Sequence, residues 1–207
     1  MTTAAHVRSV NRVADRLVST TDLYRGSAGY SASVDFDRDA SLSLNQTVSV
    51  LAVDDSLDAR RRLVAIVNAD MSGIAALFPR VSLSVAAIGQ YSGSALVPSN
   101  QLFQIGGANS VRAFQPGSGS GASGALGQVE LHYALPTTLS RFDLFAFFDA
   151  GKTFSRDFAD RAIGATGIGL HATVRRFDLS ATCGIAMGDR LPGDDPVRAD
   201  LRLSYRF

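Results

Sequence analysis

Apolar and polar residues alternate along most of this chain. From Val197 to Phe207 the odd positions are Val197, Ala199, Leu201, Leu203, Tyr205 and Phe207, while the even ones are Arg198, Asp200, Arg202, Ser204 and Arg206. A period of two that puts every apolar side chain on one side describes a strand with one dry face. The pattern repeats upstream. Phe177, Leu179, Ala181, Cys183, Ile185 and Met187 share a face, opposite Asp178, Ser180, Thr182 and Gly184. The runs Ile168–Val174, Val129–Leu135, Val81–Tyr91 and Tyr30–Phe36 read the same way. Segments 42–52 and 61–71 also fit, although Val64 and Ile66 fall on the polar face of the second. Segment 141–151 is apolar on both faces.

These runs predict nine strands of about ten residues, separated by turns such as Leu191-Pro192-Gly193-Asp194-Asp195-Pro196. The first 20 residues are ambiguous: Val10, Val13 and Leu17 suit either a short helix or a tenth strand. Strands of ~9–11 residues match the tilted span of a bilayer and exceed the ~5–6 usual in globular sheets. Only closure satisfies the backbone in lipid, because an unpaired edge there leaves polar groups without partners. The expected fold is therefore all-β, an antiparallel transmembrane β-barrel segment over 21–207. A soluble sandwich also alternates, but it rarely needs so many long strands with so little helix. Trp is absent, so an interfacial girdle rests on 5 Tyr and 12 Phe.

Composition narrows the function classes. The 207 residues carry 20 basic and 19 acidic side chains, a balance that gives no reason to expect a nucleic-acid partner. Cys183 is the only cysteine, which excludes an internal disulfide and reads as packing. No stretch approaches the roughly 18 apolar residues of a membrane-spanning helix. The start, Met1 to Arg8, has no apolar core of a signal peptide, so the chain is expected to be part of something longer. His6, His132 and His171 are the only histidines, and neither a Gly-x-Ser-x-Gly elbow nor a metal-spaced cluster accompanies them. No enzyme activity and no cofactor are expected. Arg60-Arg61-Arg62 reads most simply as a solvated strand end.

One connection departs from the pattern. The loop 92–124 is long, and long connections are usually functional or disordered. Its Ser/Gly run from Gly117 to Gly124 reads as flexible linker. Val111-Arg112-Ala113-Phe114 does not, because an apolar–Arg–small–aromatic tip is built to be held. Folded inward, Arg112 needs an anionic partner, since an unpaired buried charge is very costly. In Phe145-Ala146-Phe147-Phe148-Asp149-Ala150-Gly151, the residues Phe145, Phe147, Asp149 and Gly151 share one face. With Phe142, Leu144, Phe148 and Ala150 turned to lipid, Asp149 points into the lumen. A bidentate Arg112–Asp149 pair would pin the loop there, with Phe114 packing on Phe145 or Phe147.

The run from Gln90 to Phe207 resembles the C-terminal half of the barrel in two-partner-secretion transporters, the haemolysin secretion/activation family. That family sits within the bacterial surface antigen-like superfamily, which inserts or translocates proteins at the outer membrane. Gly-Gly-x-x-Ser-Val-Arg-x-Phe at 106–114 looks like its loop motif, and Phe-x-Asp-x-Gly at 147–151 like its partner strand motif. The end Gln90-Tyr91-Ser92, Glu130, Gly167-x-Gly169 and the final Phe207 fall in similar order. The resemblance implies a sixteen-stranded barrel into which the loop threads, its Arg paired with the strand Asp. Val111, Arg112, Phe114, Phe147, Asp149 and Gly151 are then the lock. This chain would supply roughly the last ten strands, without the periplasmic domains that recognise cargo. Where the family usually has Gly, this chain has Ala113.

The implied function is translocation of an unfolded, haemolysin- or adhesin-like partner protein across the Gram-negative outer membrane. Lipid and the barrel assembly machinery are the other implied partners. Neither ATP nor a membrane gradient is implied. A passive pore would share the alternation without needing the Arg112–Asp149 pair, and a barrel fused to a patatin-like enzyme is a further alternative.

Overall fold

The computed structural model describes residues 1–13, 16–36, 39–55, 58–94, 96–137, 141–155, 159–188, 190 and 195–207, with only the backbone at 9–13, 16–21, 55 and 58–61. Most of the expected Leu191–Pro196 turn and the side chains of Arg60 and Arg61 therefore lie outside the described residues. The strands are β1 (Thr2–Val13), β2 (Arg16–Phe36), β3 (Ala40–Asp55), β4 (Asp58–Phe78) and β5 (Val81–Ser92). After a single 3-10 turn at Ser99–Gln101 come β6 (Phe103–Ile105), β7 (Gly119–Gly121) and β8 (Ser123–Ala134). The last four are β9 (Arg141–Phe154), β10 (Arg161–Val174), β11 (Phe177–Gly188) and β12 (Val197–Tyr205). The segment left open between helix and strand is thus strand.

Ten strands form one antiparallel sheet in the order β1-β2-β3-β4-β5-β8-β9-β10-β11-β12, and β6 pairs with β7 in a separate two-stranded ribbon. Each strand lies beside its chain neighbour, the up-and-down order of outer-membrane barrels. The expected closure is absent here: β1 and β12 are the two edges of the sheet, and no pairing among the described residues joins them.

Register carries the alternation from strand to strand, because paired residues share a face. Val129 opposes Phe148, which opposes Thr166, and Ile168 opposes Cys183, which opposes Ala199. The outward face so defined is apolar and exposed, with Leu63, Ile168, Leu201 and Leu203 among its residues. Several of its aromatic residues lie near strand ends, while Tyr30 and Phe148 sit mid-strand. Phe36, Phe78, Tyr133, Phe177 and Tyr205 lie at the end closed by the short connections, where the rings of Phe177 and Tyr205 approach to 5.0 Å. Tyr91 and Phe154 lie at the opposite end, beside the long loop. Two bands of Tyr and Phe thus take the place that Trp holds in many barrels.

β2 and β4 run for 21 residues each, about twice the length expected. Their extra length rises past β5, whose last pairing with β4 is Ser92 against Ile66. Beyond that level the inward face needs no aqueous lining. Leu23, Leu51, Val53, Val64 and Ile66 bury one another there, with Val97 of the long loop packed against them. The two residues that broke the polar face of segment 61–71 are therefore members of an apolar cluster.

Candidate functional site: a loop held inside the sheet

The loop after β5 turns inward instead of standing away from the strands. Gln90 holds both of its stems: Nε2 donates to the carbonyls of Gln101 (2.8 Å) and Ala122 (3.1 Å). The β6–β7 ribbon then carries the tip, residues 106–118, down the inward face of β8, β9 and β10. Tight turns shape that tip. Gly106 and Gly107 both have φ +101°, a region that costs L side chains dearly, and a Cβ on Gly106 would collide with the carbonyl of Gln115. Gly107 N–H donates to the carbonyl of Phe114 (3.0 Å), and Ser110 Oγ accepts from Gly106 N–H (3.2 Å). Phe103, Ile105, Val111, Ala113 and Phe114 of the loop are buried in one cluster with Leu126, Phe145, Phe147, Ile163 and Ala165 of the strands.

Arg112 sits at the centre of this cluster, 5% exposed, against Asp149, which is 0% exposed. Two such charges persist in an apolar surround only when their hydrogen-bonding capacity is filled. Here it is. Arg112 Nε donates to Asp149 Oδ2 (2.8 Å) and Nη2 to Oδ1 (2.6 Å), the bidentate fork of a guanidinium on a carboxylate. The backbone N–H of Arg112 also donates to Oδ2 (3.0 Å), so the main chain of the tip is bound as well. Nη1 donates to Glu130. The flat guanidinium lies 3.7 Å above the Phe147 ring, within cation–π range. Desolvation opposes the charge on Arg112, but hydrogen bonds and attraction from Asp149 and Glu130 outweigh it, so its pKa lies above the ordinary arginine value.

Glycines clear the space that the lock occupies. Gly151 stands below Ile105 and Val111, and a Cβ there would lie 3.1 and 3.2 Å from their methyl groups. Gly167 and Gly169 directly oppose Phe147 and Phe145 across the β9–β10 pair, and a Cβ at either would collide with the ring beside it. The rings therefore lie over glycine backbone, turned toward the loop. Gly167-x-Gly169 thereby fixes the platform on which Arg112 rests.

All six residues singled out from the sequence meet at this place. Val111, Arg112 and Phe114 come from the tip, Phe147, Asp149 and Gly151 from the inward face of β9, and Phe114 shares its cluster with Phe145 and Phe147. Ala113, between Arg112 and Phe114, has φ +72°. Sequence reasoning did not assign partners to Gln128, Glu130, His132 or Asp143. Gln128 Nε2 donates to the Ser110 carbonyl (2.8 Å), fastening the tip a second time. The ring nitrogens of His132 lie 3.0 Å from Glu130 Oε2 and 2.7 Å from Asp143 Oδ2. Their signal was present: Gln128, Glu130 and His132 alternate on the inward face beside β9. Among the described residues, no group of three or more His, Cys, Asp or Glu is placed to hold a metal ion, and no helix is long and apolar enough to cross a membrane.

Comparison with solved structures places this architecture. CdiB from Escherichia coli superposes over 98% of this chain with a TM-score of 0.59 at 16% identity. CdiB from Acinetobacter baumannii does so over 98% with a TM-score of 0.54, also at 16% identity. At that identity the likeness speaks for the fold alone, the strand meander of an outer-membrane β-barrel. The chain spans about half of these relatives, 49% and 46% of their lengths. No curated protein matches it in sequence. The family model described as "Haemolysin secretion/activation protein ShlB/FhaC/HecB" matches residues 8–172, which include the loop, Arg112 and Asp149. With that match over most of its length, the chain belongs to the ShlB/FhaC/HecB family of haemolysin secretion/activation proteins.

Proposed function

We propose that this chain is the barrel part of a two-partner-secretion transporter that passes an unfolded partner protein across the Gram-negative outer membrane. In this reading the loop between β5 and β8 is its gate. The observation that carries it is the grip on Arg112. A loop that merely filled space would need apolar contacts alone. This one spends its only tip cation on two carboxylates and adds a main-chain hydrogen bond to the same Asp149. Such a contact is strong when made and costly when half-broken, the property of an element with two discrete positions. A passive pore has no use for that property. The transported protein is haemolysin- or adhesin-like, and lipid and the barrel assembly machinery are the remaining partners.

Arg112→Ala in the intact transporter tests the gate. Secretion of the partner protein should fall at least tenfold, while the heat-shifted, folded band in the outer-membrane fraction falls by less than half. Equal loss of both would reduce the pair to a folding contact and leave the gate without support.

A further inference from the structure

The lock does not end at Arg112. Glu130 divides its carboxylate between two partners: Oε1 accepts from Arg112 Nη1, and Oε2 lies 3.0 Å from His132 Nε2. The other ring nitrogen of His132, Nδ1, lies 2.7 Å from Asp143 Oδ2. Cation, carboxylate, imidazole and carboxylate thus alternate in a line from the loop tip along β8 and across to β9. The line ends where the two strands do. Asp143 is the third residue of β9 and pairs with Ala134, the last of β8, and Leu135 N–H donates to the Phe142 carbonyl just beyond (2.9 Å). The His132 ring is held by its face as well. It stacks on Phe145 with centroids 5.2 Å apart, while His171 of β10 stacks on Phe145 at 4.8 Å from the strand on the other side.

We infer that His132 is a positioning residue of the gate, one that aims Glu130 at Arg112 and ties the lock to the β8–β9 connection; the inference rests on the transporter reading above. The first argument is conformational. A glutamate has several rotatable bonds, and their freedom must be lost before its carboxylate holds a partner. With Oε2 engaged by the ring, Oε1 is left facing the guanidinium. The second argument is hydrogen-bonding capacity. An imidazolium donates from both ring nitrogens, which is what a carboxylate at each nitrogen calls for. Phenylalanine has a similar ring and no donor, whereas glutamine has a donor and no ring, so the two roles open to His132 can be separated. The third is position. Short turns lie at the periplasmic end of outer-membrane barrels. A displacement of the β8–β9 connection there reaches Arg112 through Asp143, His132 and Glu130, side chains joined by polar contacts, without passing through the apolar cluster.

The test uses the intact transporter in outer-membrane vesicles and reads the rate of protease cleavage within 103–121. His132→Phe keeps a ring on Phe145 and removes both nitrogens, while His132→Gln keeps an amide donor and removes the ring. Cleavage should rise at least about fivefold in His132→Phe, which leaves a charged partner without its donor, and less than about twofold in His132→Gln. The folded band should persist in both. In a Glu130→Gln background, His132→Phe should add less than about twofold, because its effect is carried by Glu130. Asp143→Ala leaves the ring stack alone and should raise cleavage about two- to threefold. It also decides the matter if His132→Phe loses the folded band. Cleavage in His132→Gln equal to or above that in His132→Phe would overturn the positioning role and leave His132 as packing for Phe145. So would an undiminished effect in the Glu130→Gln background, or no rise in Asp143→Ala. None of these outcomes touches the transporter reading, which falls if the unsubstituted protein secretes no partner protein; cleavage then still reports whether His132 positions Arg112.

Discussion

The two walls of the inward face are built from one backbone plan and do opposite things. β8, β9 and β10 present carboxylates, aromatic rings and glycine clearings, and they hold a loop by a buried cation. Below their apolar cluster, β2 to β4 present mostly neutral hydroxyls and amides in the same period-two spacing, with Ile74 among them, and the loop tip does not lie on them. Alternation thus fixes which face looks inward, and side-chain chemistry decides whether that face grips or releases. The glycines make the contrast structural as well as chemical. Where Gly151, Gly167 and Gly169 open the lock wall, loop and rings enter the space a Cβ would fill. The apolar cluster of Leu23, Leu51, Val53, Val64 and Ile66, with Val97 packed against it, is a third solution, holding the same loop without charge.

The strongest way to break this contrast is to remove the anion at its centre. Asp149→Ala leaves Arg112 buried with Glu130 as its only carboxylate, and removal of one partner from a buried ion pair costs about 3–5 kcal/mol. Because Glu130 remains, a loss near the lower figure is expected, read as a fall in the urea midpoint of the folded protein. New protease cleavage within 103–121 should accompany it. Ser43→Ala on the open wall removes only a 3.4 Å contact with Ser33 and should shift the midpoint by less than about 0.5 kcal/mol. Equal effects of the two substitutions would mean that the walls do not differ in the way described.

Steric filling tests the clearing instead of the charge. In Gly151→Val the new side chain meets Ile105 and Val111, whose methyl groups already stand 3.1 and 3.2 Å from the Cβ position. Overpacking of a tight interior costs about 1–3 kcal/mol. The loop should lift before the sheet gives way, so protease cleavage of the loop rises while the folded band persists. Resistance equal to that of the unsubstituted protein would show that the loop re-seats without Gly151.

Much of this was legible in the amino-acid sequence, and the reasons are physical. Alternation is a one-dimensional signal, so the faces of nearly every strand followed from it. Arg112 called for an anion once its tip was read as buried, and Asp149 was the carboxylate on an inward face flanked by phenylalanines. Register was not legible. It is set by pairing across loops, and only the register brings Gln128 opposite Asp149 and Glu130 opposite Phe147. The role of Glu130 was hidden for that reason. Val64 and Ile66 looked like faults because a single polarity was assumed along each strand, whereas β2 and β4 pass from a polar inward face to an apolar one along their length. Alternation by itself says nothing about where a sheet ends, so the open edges at β1 and β12 did not follow from it.

A smaller effect is expected at Ala113, between Arg112 and Phe114 in the tip. Ala113 has φ +72° and is nearly fully buried, and a Cβ built on Gly184 would lie 3.2 Å from its methyl. The left-handed region costs an alanine about 1–2 kcal/mol. Ala113→Gly removes that cost but gives the unfolded chain more freedom, which returns about 0.4–1 kcal/mol. The balance favours the variant by at most about 1.5 kcal/mol, seen as a slightly higher urea midpoint and slower cleavage of the loop. Torsional relief should tighten the grip on Arg112 without altering any partner, because the methyl faces β11 and not the carboxylates. A lower midpoint would mean that the methyl's packing against Gly184 outweighs the strain. Alanine would then serve the lock wall as filler at a position where glycine would leave a gap.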